Sequence, residues 1–283
     1  MGAYKWTKKE IIAHILMIIV DLIILVPIYF LIITAFKPYN EIIGIPPTFW
    51  PQKITLENFL SFASLRGINL ARVLINSLIV SITVTLGTIF FSTLAGYAFA
   101  MLRFKFKEQI FIAILTKYMI PSVTLLIPWY WIMRTLRLVD TLIAVIIPNI
   151  IGAWTIYFMR SYISQIPRDY VESARIDGAN ELEIFIHIII PLIKPAIAVA
   201  TIVNFLWSWN YFLWPLIILN SRENFTMPIA IAYIRYIGYG GGELLNYGGI
   251  AASSLLYALP ILILYAWLQK LFIESFIMAG IKR

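Results

Sequence analysis

Apolar residues gather in six long runs, at 11–36, 73–102, 110–133, 141–159, 196–219 and 247–269. A hydrocarbon layer about 30 Å thick is crossed by about 20 residues of helix rising ~1.5 Å each. Each run therefore predicts a membrane-spanning helix, and together they predict an all-α integral membrane protein forming a single transmembrane domain over 1–283. Asp21 and Lys117 are the charges inside the runs. Pro27, Pro121, Pro128 and Pro215 also fall within them, where neighbouring helices can accept the freed backbone groups. The sixth run is expected to begin in a loop at Tyr247-Gly248-Gly249.

The connections are unequal. Residues 37–70 carry Pro46, Pro47 and Pro51 and read as irregular rather than helical. Residues 221–243 read as a second long loop, made flexible by Gly238 and Gly240-Gly241-Gly242. Residues 103–108 make a short turn, and 161–190 form the one large insertion on that side. Placing the N-terminus in the cytoplasm puts more Lys and Arg inside than outside (Lys5, Lys8, Arg103 and Lys282 against Lys53, Arg66, Arg137 and Arg222, for example), so both termini are expected there. The first run lacks a small-residue cleavage pattern and is read as a retained helix.

Composition agrees with this pattern. The chain is 61% hydrophobic and 13% charged, with a mean hydropathy of +0.87. That is more apolar surface than a soluble core of this length can hide. Cysteine is absent and only His14 and His187 are present, so thiolate and histidine metal centres are not expected. The net charge of +8 belongs to the flanks of the spans and sets topology; it does not point to nucleic acid.

The 161–190 segment has its own design. Pro167 suits the first turn of a helix, which reads through Tyr170–Ile176 and stops at Gly178, the residue best able to take a left-handed cap. Asn180 opens a second helix with Glu183 in capping-box register. Leu182, Phe185, Ile186, Ile189 and Ile190 then fall on a single helical face. Asp169, Glu172, Asp177, Glu181 and Glu183 outnumber Arg168 and Arg175. Topology does not require that acidity, and anionic lipid would repel it. It fits a surface that docks on a basic partner.

Glu172-Ser173-Ala174-Arg175-Ile176-Asp177-Gly178-Ala179, with Phe185, Ile188, Pro191 and Pro195 downstream, resembles the EAA loop of ABC importer permeases. Ser173 departs from that pattern, where the family usually has alanine. Asn76-Ser77-Leu78, Ala95-Gly96-Tyr97-Ala98-Phe99-Ala100, Arg103-Phe104, Ile120-Pro121, Trp209-Asn210-Tyr211 and Ala279-Gly280-Ile281-Lys282 are similar to the carbohydrate-uptake branch, of the type of the smaller permease subunit of the maltose importer. The resemblance implies a coupling helix at Glu172, Ser173, Ala174, Asp177, Gly178 and Ala179 that seats on an ATPase subunit. It implies two such ATPase subunits, a second permease subunit in a heterodimer, an extracellular solute-binding protein and a sugar substrate. No phosphate-binding Gly-x-x-x-x-Gly-Lys-[Ser/Thr] motif occurs in the chain. ATP and its magnesium are therefore expected on the partner ATPase, with no cofactor here.

For the substrate pathway the candidates are Asn204, Trp207, Ser208 and Tyr211, which share a helical face at i, i+3, i+4 and i+7. An indole flanked by amide and hydroxyl groups suits a sugar. The competing explanation is helix packing through interhelical hydrogen bonds. Trp214 is better placed than Trp207 for an interfacial aromatic belt. Lys117 and Asp21 either line the pathway or find a structural role by snorkelling or pairing. Paired carboxylates, a nucleophilic serine motif and a zinc motif are all absent from the spans, which speaks against an embedded enzyme. A permease for glycerol-phosphate or a polyol, and a secondary transporter, are the alternatives.

Overall fold

A computed structural model describes residues 7–63, 68–240 and 246–280, with side chains described over 7–60, 68–234 and 246–269. Lys5, Arg66, Gly241, Gly242, Glu243, Ile281, Lys282 and Arg283 of the sequence reading lie outside the described residues. The described backbone is all helical: α1 Lys8–Ala35, α2 Tyr39–Ile42, α3 Glu57–Ala63, α4 Leu70–Met101, α5 Lys107–Met119, α6 Leu126–Thr135, α7 Leu142–Ile146 and α8 Ala153–Ile163. There follow α9 Arg168–Ile176, α10 Glu181–Ile184, α11 Ile190–Leu192, α12 Lys194–Trp209, α13 Leu213–Ile218, α14 Met227–Gly240 and α15 Tyr247–Gly280. Four helical stretches are long and apolar enough to cross a membrane, Lys8–Ala35, Leu70–Met101, Lys194–Ile218 and Tyr247–Gln269. Two bent pairs bring the total to six when each counts as one crossing. The contacts divide the chain into two compact units, Met1–Leu70 with Ile231–Leu259, and Ala71–Ala230 with Pro260–Arg283.

In the first unit, Thr7 and Glu10 close a capping box that starts α1. The helix then runs with its apolar side chains, and Asp21, outward. The 37–70 connection is more ordered than its prolines suggest, since α2 and α3 both form within it. Asn58 on α3 holds the end of α1 by donating to the carbonyls of Ala35 (2.9 Å) and Lys37 (2.7 Å). Tyr247-Gly248-Gly249 belongs to α15 and not to a loop. Asn246 supplies the reason: its side-chain oxygen accepts from Gly249 N at 2.7 Å, a helix cap. Likewise α14 occupies most of the 221–243 connection, so Gly238 and Gly240 are helical.

The second unit shows why two of the expected spans are broken. The 110–133 run divides at Ile120–Pro121, with 96° between its halves. Pro121 has no N–H and forces the residue before it out of the helical region; Ile120 is extended, at φ −78°, ψ 121°. The 141–159 run bends by 42° around Pro148 and Gly152. There α4 braces the bend: Thr88 donates to Asn149 O (3.3 Å), and Ser92 adds a bond to Gly152 O (3.5 Å), which also accepts from Ile156 N (3.0 Å). The same buried polar stripe fixes the segment leading into α14, through Asn76 to Glu223 O and Phe225 O (2.8 and 3.0 Å) and through Ser77, which accepts from Met227 N at 2.7 Å. At Gly96, α4 lies so close to α8 that an added Cβ would sit 2.7 Å from Met159 Cβ and 3.0 Å from Arg160 N. Trp214 is not in an interfacial belt. It is fully buried, donates to Ala144 O at 2.9 Å and meets Trp129 edge-on.

Candidate functional site: a rigid corner and an open cavity

The 161–190 connection is built by local chemistry at each turn. Pro167 precedes α9, whose first turn carries Asp169 and whose last carries Arg175, in accord with the helix dipole. At its end Ala179 N bonds Ala174 O (3.0 Å) and Gly178 N bonds Arg175 O (3.1 Å), the paired bonds of a Schellman stop. Gly178 sits at φ +88° with open space around it. A side chain there meets no steric wall; the obstacle is the left-handed backbone itself. Asn180 then accepts from Leu182 N and Glu183 N (3.1 and 3.0 Å), while Glu183 accepts from Asn180 N at 2.8 Å. This is the expected capping box.

The apolar face differs from the expected one. A π-turn over Phe185–Ile189 inserts an extra residue into the register. Ile184, Phe185, Ile189 and Ile193 become the buried set, and Leu182 and Ile186 are left exposed. The buried set forms one core with Val171 of α9, Tyr97 and Met101 of α4, and Met159 and Ile163 of α8. Ala174 and Ala179 pack against this core. Glu172, Ser173, Asp177 and Gly178 face outward beside Ile176, which is 87% exposed. The corner thus presents an acidic rim around an apolar tip, on a base held by a filled core.

Two polar contacts that the sequence reading did not pick out join the corner to the long helix. Tyr97, almost fully buried, donates to Glu181 Oε2 at 2.5 Å, and Arg175 Nε donates to Glu181 Oε1 at 2.7 Å. The Arg175 bond, and secondarily the Tyr97 bond, hold the Glu181 carboxyl below the usual glutamate range against the opposing effect of burial. Arg175 is raised in turn by Glu181. A cavity of about 500 Å³ opens here between Met101–Arg103 and Arg168, Val171, Glu172, Arg175 and Glu181. The signal available in the sequence was a lone tyrosine in an apolar run and opposite charges flanking a glycine stop.

Further along the unit, the broken spans enclose a cavity of about 790 Å³. Its walls include Lys117, Trp129, Asn149, Trp154, Thr155, Asn204 and Trp207. Asn204 and Thr155 hydrogen-bond to each other at 3.1–3.2 Å, and Asn204 also donates to Ala200 O. The four pathway candidates do not act as one face. Asn204 and Trp207 open onto this cavity, whereas Ser208 is buried and lines a separate, small space with Ser77, Ser81 and Tyr211. Ser208 lies within α12, on its buried side, whereas Trp207 is exposed; Tyr211 lies beyond the end of α12 at Trp209 and stacks on Trp207 at 4.6 Å. Lys117 occupies the last turn of α5, where the helix terminus favours a cation. No Asp or Glu stands among the described residues of the wall.

Long apolar helices, two spans broken around an open cavity and a projecting capped corner define a multi-pass membrane protein with the build of a transporter permease. The chain belongs to the family of binding-protein-dependent transport system inner membrane components, whose profile matches residues 88–277. It is 36% identical to an arabinooligosaccharides transport system permease protein of Halalkalibacterium halodurans, over 90% of both chains. It is 34% identical to the Bacillus subtilis protein of the same description, over 93% and 92%. An sn-glycerol-3-phosphate transport system permease protein of Escherichia coli is 28% identical over 94% and 95%. In fold, the chain is similar to a crystal structure of a bacterial ABC transporter involved in the import of the acidic polysaccharide alginate. The TM-score is 0.82 at 21% identity, over 95% of this chain and all of that one.

Proposed function

We propose that this chain is the permease subunit of an ATP-driven importer in a prokaryotic plasma membrane, carrying a sugar or oligosaccharide inward by alternating access. Both termini and the 161–190 corner face the cytoplasm in this reading. The corner seats on one of two ATPase subunits, which bind ATP and magnesium; a second permease subunit completes the pore and an extracellular solute-binding protein delivers the substrate. This chain contributes no ATPase site.

The observation that carries the reading is the corner itself, with Glu172, Ser173, Asp177 and Ile176 turned outward from a base locked by Gly178, Asn180 and a filled core. A coupling element must be stiff, because a contact that slips transmits no free-energy difference between the two states of the pore. Glu172 is assigned to a basic residue of the ATPase, and Ala174 and Ala179 anchor the corner from behind. Relatives described as arabinooligosaccharide permeases favour a sugar, and three tryptophans beside Asn149, Thr155 and Asn204 supply apolar ring faces with hydrogen-bonding edges.

Lys117 favours one second reading, a small phosphorylated solute, since it brings a cation into a wall without carboxylates and a glycerol-3-phosphate permease is among the relatives. Reconstitution with the partner subunits in proteoliposomes tests both readings. ATP-dependent accumulation of an oligosaccharide supports the first. Accumulation of glycerol phosphate alone supports the second. Uptake that proceeds without ATP, as in a secondary transporter, overturns both. Thermal-shift screening of the solute-binding protein against a sugar panel narrows the solute.

A further inference from the structure

We infer that Tyr97 is a positioning residue for energy coupling: its hydroxyl, through Glu181, ties the 161–190 corner to helix α4. The inference rests on the permease reading above and adds the point at which movement of the corner enters the spans. Glu181 is the hub. One carboxylate oxygen receives the Tyr97 hydroxyl of α4 at 2.5 Å, and the other receives Arg175 Nε of α9 at 2.7 Å. Two helices of the corner and the long helix α4, 84 positions away in sequence, meet on a single side chain.

Tyr97 also faces the Arg175 guanidinium. Around this polar cluster the packing of corner against helix is apolar, through Tyr97, Ala100 and Met101 of α4 with Val171, Ile184, Phe185 and Ile189. Apolar contacts resist separation but not sliding, because burial is non-directional. A hydrogen bond to an ionised acceptor has direction and a short length, and it fixes register. Tyr97 is almost fully buried, so its hydroxyl depends on this partner. Phenylalanine in its place keeps the ring, its tilted contact with Phe185 (5.4 Å between centroids) and the core volume. It removes only the directional link.

The test uses the assembled transporter in proteoliposomes, with ATP hydrolysis and solute uptake read from the same vesicles. Tyr97→Phe is expected to co-purify with the ATPase subunits at wild-type stoichiometry and to hydrolyse ATP, while uptake per ATP falls about tenfold, the scale of one lost hydrogen bond to a charged group. Glu181→Gln provides an independent variant with the same expected loss, should Tyr97→Phe assemble poorly. An unchanged ratio of solute to ATP in either assembled variant overturns the inference. So does a parallel loss of ATPase co-purification in both variants, since the residues would then serve assembly rather than transmission. Wild-type vesicles whose uptake ignores ATP would instead overturn the permease reading, which separates the two failures.

Discussion

The corner at Gly178 and the cavity at Trp207 lie in one compact unit and are built on opposite principles. At the corner the helix ends are capped, Glu181 is held from two sides, and the apolar base is packed, with the cleft of about 500 Å³ lying beside it on the charged side. Around the cavity the helices are interrupted at Pro121 and Pro148 and about 790 Å³ stays open. A packed, capped element moves as a body, whereas helix breaks are places where a hinge can absorb backbone change. The contrast suits a device that takes a displacement at one place and converts it into a change of shape at another.

The largest expected effect comes from breaking the stiff half. Gly178→Val places a β-branched residue at φ +88°, at a cost of roughly 1–2 kcal/mol in backbone strain alone. It should abolish uptake and loosen co-purification with the ATPase; Gly178→Asn, which tolerates the left-handed region, should retain both. Trp207→Ala attacks the open half: uptake should fall by about tenfold or more if the indole face carries stacking with the solute, with ATPase binding intact. Wild-type uptake in that variant would assign Trp207 to packing. A smaller and selective effect is expected for Lys117→Gln, with anionic solute uptake reduced severalfold and neutral sugar uptake preserved. Asn180→Ala removes one cap and should destabilise the corner by about 1 kcal/mol, read as faster amide exchange in α10 with uptake only modestly lowered.

The smallest effect is one of pH. Because the Glu181 carboxyl is held below the ordinary glutamate value by Arg175 and Tyr97, the ionised form stabilises the fold. That stabilisation is fully present above the unfolded value near 4.3 and is lost as pH falls through the lower folded value. The Arg175–Glu181 side chains are 39% and 45% exposed, so screening keeps the contribution small. Exchange protection of α9 and α10 should stay flat from neutrality down to about pH 5 and decline below it.

Much of the stiff half could be read from sequence because its determinants are local. Gly178, Asn180 and Glu183 act within a few residues of themselves, and their spacing sets the stop and the restart. The cavity was less legible. Apolar runs announce a crossing but not its straightness, and the 96° break at Pro121 depends on what surrounds the proline. The π-turn at Phe185–Ile189 shifted the buried face because periodicity assumes unbroken α geometry. Among the pathway candidates, Ser208 turned to the buried side of α12 while Trp207 stayed exposed, and Tyr211 fell outside the helix, which stops at Trp209. Tyr97 and Glu181 are 84 positions apart, and no local pattern pairs them.

The absent side chain at Gly96 has a mechanical result. Backbone rests nearly on backbone where α4 crosses α8, with no lubricating layer of methyl groups between them. Gly96 adjoins Tyr97, and α8 carries Trp154 and Thr155 into the cavity wall. A push delivered to α4 at that height has no slack to absorb it before it reaches the cavity wall.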